Sequence, residues 1–288
     1  MRIAFLGLGL IGGSIARALR VAGDPIELAA WTPSGAGPAA GLAAGILDRA
    51  APTPRDALDG AELVVLAAPP RSCSELLTRL GGDLATALVS GATVTDVAST
   101  KGMLLRAATA AGVPYAGGHP MAGLETAGFG AADADLFRGR PWVITEAVHG
   151  GDAGPVERLA VACGALPVRL AADEHDRLVA AISHLPLVAS VALVEAVAGT
   201  GARARDDWAA ASSLAAGGWL GMTRLARGDV AMGADIAVTN AAALAARLRD
   251  LRERLGEWIM LLETPGGPDP DELERRLRAT RDRLTDGT

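Results

Sequence analysis

The chain has 288 residues, 50% hydrophobic and 21% charged, with a net charge of −6 at pH 7. That balance supplies a sizeable buried core for one large or two ordinary domains and excludes a disordered chain. The acidic excess, with no basic stripe and no interleaved basic and aromatic residues, speaks against a nucleic-acid partner.

Aromatic residues make up only 3%, so the core is expected to consist mainly of Ala, Leu and Val. Cys73 and Cys163 fit neither a zinc-ligand spacing nor a disulfide framework and read as buried thiols of a cytoplasmic protein. Glycines and arginines interrupt the apolar N-terminus, against a signal peptide. No run of roughly 18 residues is free enough of Gly, Pro and charge to read as a membrane span.

In chain order, Arg2–Gly7 predicts a buried strand, Ile11–Val21 a helix with Arg17 and Arg20 on its polar side, and Ile26–Trp31 a second strand. A helix follows over Ala39–Ala44, then a strand over Glu62–Ala68 closed by Pro69-Pro70, and a helix over Ser72–Leu80. Thr93–Val97 reads as a strand, Lys101–Ala110 as a helix, and Val113–Ala116 and Trp142–Thr145 as short strands. Val156–Ala162 is a helix and Pro167–Leu170 a last strand. This alternation predicts an α/β domain of the Rossmann type, a mostly parallel sheet with helices on both faces. From Asp173 onward Ala, Leu, Arg and Glu recur at helical spacing. The expected division is a dinucleotide-binding domain over 1–170 and an all-α domain over 171–288, whose loop Thr264–Pro270 precedes a final helix, Asp271–Leu284.

The segment Gly7-Leu8-Gly9-Leu10-Ile11-Gly12 matches G-x-G-x-x-G where a strand gives way to a helix. The first glycine permits the tight turn, the second lets the backbone approach a pyrophosphate, and the third lets helix and strand pack closely. The helix N-terminus then presents free N–H groups to the phosphates. At the end of the second strand an acid would bind the ribose 2′-OH of NAD. Here the residues are Trp31-Thr32-Pro33-Ser34, without a carboxylate. Thr32 and Ser34 offer hydroxyls to a 2′-phosphate or form only a turn, and Arg71 is the nearest candidate cation. The cofactor is NADP or NAD, with a lean to NADP.

Three further segments carry chemistry: Asp96-Val97-Ala98-Ser99-Thr100-Lys101-Gly102; Gly118-His119-Pro120-Met121-Ala122-Gly123 with Asp133-Ala134-Asp135-Leu136-Phe137; and Ile182-Ser183-His184-Leu185-Pro186 with Met222-Thr223-Arg224. Together with the glycine loop they resemble the prephenate dehydrogenase family, which includes the arogenate dehydrogenases, from residue 1 to about Asn240. The resemblance implies an active site between a dinucleotide domain and a helical dimerisation domain, hence a homodimer. It implies oxidative decarboxylation of prephenate or L-arogenate, or of an amino-substituted analogue, with hydride passing to NAD(P). By resemblance His119 is the catalytic histidine on the ring hydroxyl, Ser99 the serine beside it, and His184 the second histidine of the site. Arg224 grips the side-chain carboxylate. The chain departs from the family at Leu187, where many members carry a histidine.

The residues themselves fit these roles. A neutral imidazole near pH 7 takes the O–H proton as hydride leaves, and a guanidinium grips a carboxylate with two hydrogen bonds. Other readings stay open. Ser99 fits a helix N-cap, His184 a core histidine, and Arg224 a surface position. Lys101 reads as a solvated first-turn residue, and His149 and His175 as exposed loop or cap residues. Other Rossmann-plus-helical reductases, of the β-hydroxyacid dehydrogenase or imine reductase type, usually place Lys or Asp where His184 stands. A dinucleotide-sensing regulator without chemistry would have no need of Ser99, His119 and Arg224 together.

Overall fold

The computed structural model describes every residue except 125, 202–204 and 286–288. Among the described residues one sheet runs in the order β3-β2-β1-β4-β5-β6-β7-β8. Its strands are β1 (Arg2–Leu6), β2 (Glu27–Trp31), β3 (Arg49–Ala50), β4 (Leu63–Leu66), β5 (Thr93–Asp96), β6 (Tyr115–Pro120), β7 (Pro141–Val148) and β8 (Leu166–Arg169). All neighbours pair in parallel except β6 and β7.

The connecting helices are α1 (Leu10–Ala22), α2 (Ala36–Ala43), α3 (Pro54–Leu58), α4 (Pro70–Gly81), α5 (Gly102–Ala111) and α6 (Ala153–Ala162). They cover both faces, so the central strands are apolar without alternation, as in the fully buried Leu63-Val64-Val65-Leu66 of β4. One core cluster gathers Phe5, Ile15, Leu28, Val65 and Trp142, and the other Leu6, Leu58, Leu66, Leu77 and Tyr115. The expected α/β class holds. β3 and α3 lie outside the sequence reading because two and five residues are too short to show a period.

The strand read as Val113–Ala116 starts at Tyr115 and runs on to Pro120, which puts His119 inside β6 and not after it. The two glycines that suggest an early end, Gly117 and Gly118, are packing requirements. A Cβ on Gly117 would lie 2.7 Å from Thr145 Oγ1, and one on Gly118 2.7 Å from the Asp96 carbonyl oxygen.

Beyond β8 lie α7 (Ala172–Val179), α8 (Leu185–Ala198), α9 (Trp208–Ser213), α10 (Gly217–Met222), α11 (Val230–Thr239), α12 (Ala241–Leu262) and α13 (Pro270–Thr285). A π turn, Ala180–His184, joins α7 to α8. Pro186 explains it, because proline has no N–H to donate and its ring crowds the carbonyl four residues back. The resulting helix, Ala172–Ala198, has an 18-residue window of mean hydropathy 1.9 and is by length and composition able to cross a membrane. This differs from the expectation of no such run, because Ser183, His184 and Pro186 interrupt the apolar residues without ending the helix.

Contacts divide the chain into two compact units, Met1–Leu244 and Ala245–Thr288. In the second, Arg276 pairs with Glu257 at 2.8 Å and stacks its guanidinium 4.8 Å above the Trp258 ring.

Candidate active site

The glycine loop leaves β1 at its carboxyl end, beside β4, where the strand order reverses and α/β sheets bind ligands. Each glycine has its own steric reason. Gly7 has φ +110°, and a Cβ there would lie 2.1 Å from the Ala67 carbonyl oxygen. At Gly12 a Cβ would come within 2.9 Å of the Gly7 carbonyl oxygen and of the Ala67 side chain. At Gly9 it would meet nothing within 4 Å, so the loop is open at that point. Leu8 is buried beneath the loop while Leu10 and Ile11 are half-buried. α1 begins after Gly9 with no side-chain cap and no acid in its first turn. Its first amides are left for an anion, and these residues fit a dinucleotide pyrophosphate.

Thr32 and Ser34 form a turn after β2. Thr32 Oγ1 accepts from the Gly35 amide at 3.1 Å and Ser34 Oγ from the Ala36 amide at 3.4 Å, which leaves both hydroxyl hydrogens to donate. Arg71, at the start of α4, forms an ion pair with the buried Asp235 of α11. The pair engages its Nε, while the side chain remains 61% exposed.

His119 is half-buried on β6 and its Nδ1 lies 2.8 Å from Nε2 of His175 in α7. Nδ1 of His175 lies 2.9 Å from Oδ1 of Asp176. The Asp176 carboxylate also accepts from the Lys101 and Gly102 amides at 2.7 and 2.8 Å, capping α5. Burial raises the Asp176 pKa, but the His175 and amide hydrogen bonds outweigh it and leave the carboxyl below its ordinary value. Burial first, then His175, Lys101 and His184, hold His119 well below the ordinary imidazole value, so it is a neutral base.

Here one expectation fails and one alternative reading is settled. His175 is buried, not an exposed cap, because its ring is enclosed between His119 and Asp176. The capping role open to Ser99 belongs to Asp176. Ser99 is half-buried and its Oγ is buried with no hydrogen-bond partner among the described residues. His149 does lie exposed, with Nε2 2.9 Å from the Thr109 carbonyl oxygen.

His184 ends the π turn, buried, with Nδ1 3.1 Å from Nδ2 of Asn240, which also donates to the Asp176 carbonyl at 2.8 Å. Its Nε2 is buried without a partner among the described residues. Burial lowers its pKa to about 4 against the opposing charge of Asp176. Asn240 therefore links the two histidine groups. Arg224 stands exposed at the first position of a 3-10 turn, Arg224–Arg227, which the Ala226 amide ties to Ser190 of α8 at 3.0 Å.

Beneath this cluster Lys101 is fully buried, contrary to the solvated first-turn expectation. Its ammonium pairs with the buried Asp96 and donates to the Gly118 carbonyl at 2.6 Å. Asp96 also accepts from the Tyr115 hydroxyl at 2.5 Å and the Ala98 amide at 2.7 Å. The network fixes the backbone next to His119. The sequence alone does not point to it, because a lysine at a helix start ordinarily faces water.

Comparison with known proteins joins these parts. Residues 15–164 match the model of the prephenate dehydrogenase nucleotide-binding domain, and residues 171–279 that of the prephenate dehydrogenase dimerization domain. The chain belongs to the prephenate dehydrogenase family.

Within the family it is 30% identical to a prephenate dehydrogenase of Lactococcus lactis over 89% of this chain and 70% of that protein. It is 28% identical to a cyclohexadienyl dehydrogenase of Zymomonas mobilis over 84% of this chain and 82% of the relative. The crystal structure of Synechocystis arogenate dehydrogenase superposes with a TM-score of 0.80 at 29% identity, each chain covered in full. The match to both family models decides among the Rossmann-plus-helical families that the sequence left open. His175, Asp176 and Asn240 are the site-forming residues that sequence reasoning missed. The one signal was adjacency, since a His-Asp pair at the start of a helix is polar where the face turns inward.

Proposed function

We propose that this protein oxidises and decarboxylates a cyclohexadienyl acid, prephenate or L-arogenate, in tyrosine formation, acting as a homodimer. The observation that carries the reading is His119 near the carboxyl end of β6, bonded to His175, with two buried polar atoms that have no hydrogen-bond partner among the described residues, Ser99 Oγ and His184 Nε2. Buried polar atoms of this kind are ordinarily satisfied, and here a substrate hydroxyl or carboxylate would satisfy them.

A nicotinamide dinucleotide, when bound at the Gly7–Gly12 loop, supplies the hydride acceptor. His119 takes the proton of the ring hydroxyl as hydride leaves the same carbon. Ser99 holds the oxygen, and Arg224 grips the side-chain carboxylate. Once the ring carbon is a ketone, the bond to the ring carboxylate breaks and its electron pair enters the ring. CO2 leaves, the ring oxygen takes back the proton from His119, and the product is an aromatic phenol, whose formation pulls the sequence forward.

Leu187 in place of the family's frequent histidine removes one polar contact from the substrate side. The absence of an acid after β2, with hydroxyls at Thr32 and Ser34, supports use of NADP at least as well as NAD. In the dimer, α7 to α11 would cover apolar side chains such as Leu214, Ile182 and Val230, which are 83%, 71% and 87% exposed in the single chain.

The test is absorbance at 340 nm with prephenate or L-arogenate and either cofactor, alongside light scattering for mass. Reduced cofactor formed with at least one substrate supports the reading. No reduction with either substrate and either cofactor overturns it. A preference for NAD above tenfold, or about 1.4 kcal/mol, overturns the cofactor assignment alone.

A further inference from the structure

Asp176, His175 and His119 lie in line, with nitrogen-to-oxygen and nitrogen-to-nitrogen separations of 2.9 and 2.8 Å. The carboxylate end decides where the protons sit. Asp176 receives two backbone amides at the start of α5 and is ionised, so it only accepts hydrogen bonds. His175 must then donate from Nδ1, which leaves its Nε2 bare when the ring is neutral. The only proton able to fill the 2.8 Å gap to His119 is the one on His119 Nδ1.

We propose that His175 and Asp176 are positioning residues that hold His119 as its Nδ1–H tautomer, leaving Nε2 as the bare nitrogen that receives the substrate proton. This inference rests on the assignment of His119 as the base. In isolated imidazole side chains the proton prefers Nε2, so without the pair the ring would present an N–H where a lone pair is needed. When Nε2 takes the proton, the imidazolium keeps its Nδ1–H bond to His175. Asp176 at the far end offsets the new charge, and Nε2 returns the proton to the ring oxygen as CO2 leaves. The arrangement fixes which nitrogen of the buried ring is the acceptor. The groups bearing on His119 are His175 and Asp176 on α7, Lys101 before α5 with Asp96 beneath it, and His184 in the π turn.

The chain has four histidines, so nitrogen-15 imidazole spectra are tractable, and the signal absent from His119→Asn identifies His119. At pH 8 the wild-type ring is expected to show a protonated Nδ1 and a bare Nε2. His175→Phe is expected to shift His119 toward the Nε2–H form and lower kcat by about tenfold to a hundredfold, with KM little changed. His175→Gln, whose amide oxygen can accept from Nδ1, is expected to recover part of that loss. A wild-type His119 carrying its proton on Nε2 overturns the proposal, whatever becomes of the variants' folding. So does a folded His175→Phe with full kcat. If instead His119→Asn itself retains activity within threefold, the assignment of the base fails, and the tautomer measurement still reports on the pair separately.

Discussion

The glycine loop and the histidine cluster share one edge of one sheet, yet different groups build them. The loop is made of backbone: Gly7 and Gly12 are glycines because neighbouring main chain leaves no room for a Cβ. The cluster is made of side chains from β6, the start of α5, α7, the π turn and the residue after α11. Spacing along the chain determines the first, so six residues read in order suffice to find it. Tertiary packing determines the second, and its members are scattered from Ser99 to Asn240.

The largest effect that would sharpen this contrast lies beneath the cluster. Lys101→Met strands the buried Asp96 carboxylate, and unfolding free energy is expected to drop by about 3–5 kcal/mol in chemical denaturation. Pairing it with Asp96→Asn should recover part of the loss. A single variant as stable as the wild type would mean that the network does not hold β6 and α5 in place.

Next come the glycines. Gly7→Ala is expected to cost about 3 kcal/mol of stability or more, since the Cβ meets a carbonyl oxygen and the backbone is left-handed. Gly9→Ala should leave stability within about 0.5 kcal/mol yet weaken dinucleotide binding at least tenfold by titration calorimetry, because its open side is where a phosphate approaches. Equal effects of the two substitutions on stability would break the steric account of the loop.

Smaller still is the pH dependence of the cluster. His184, at about 4, and His119, well below the ordinary value, are neutral in the fold, whereas unfolded histidines take up protons near 6.5. Below that pH the unfolded chain binds more protons than the folded one. Stability is therefore complete above about 6.5 and declines as pH falls toward 4. Thermal melts across that window should show Tm dropping by several degrees, and His184→Asn should flatten part of the slope. A Tm constant from pH 7 to 4 would show that these rings are not held neutral.

The same contrast explains what could be read in advance. Uninterrupted apolar runs point to the central strands β1, β2 and β4, because strands covered on both faces are uniformly apolar. β6 was cut short at Ala116 since glycines ordinarily end strands, while here Gly117 and Gly118 make room for Thr145, Asp96 and Trp142. His119, His184 and Ser99 stood out through motif context, and the structure sets each at or near the sheet edge or the π turn. His175 and Lys101 were read as solvated because a sequence shows which residues are polar and not which of them the fold encloses. Arg71, read toward the cofactor, is engaged by Asp235 more than a hundred and sixty positions away, a pairing no local pattern reveals.

The proposed chemistry turns on His119, and one substitution tests it most directly. His119→Asn keeps a hydrogen-bonding side chain of smaller size but cannot take the substrate proton. With dinucleotide affinity unchanged by titration, kcat for the better of prephenate and L-arogenate, followed at 340 nm, is expected to fall by about a hundredfold or more. A folded variant that binds dinucleotide normally and turns over within threefold of the wild type would contradict the assignment of His119 as the base.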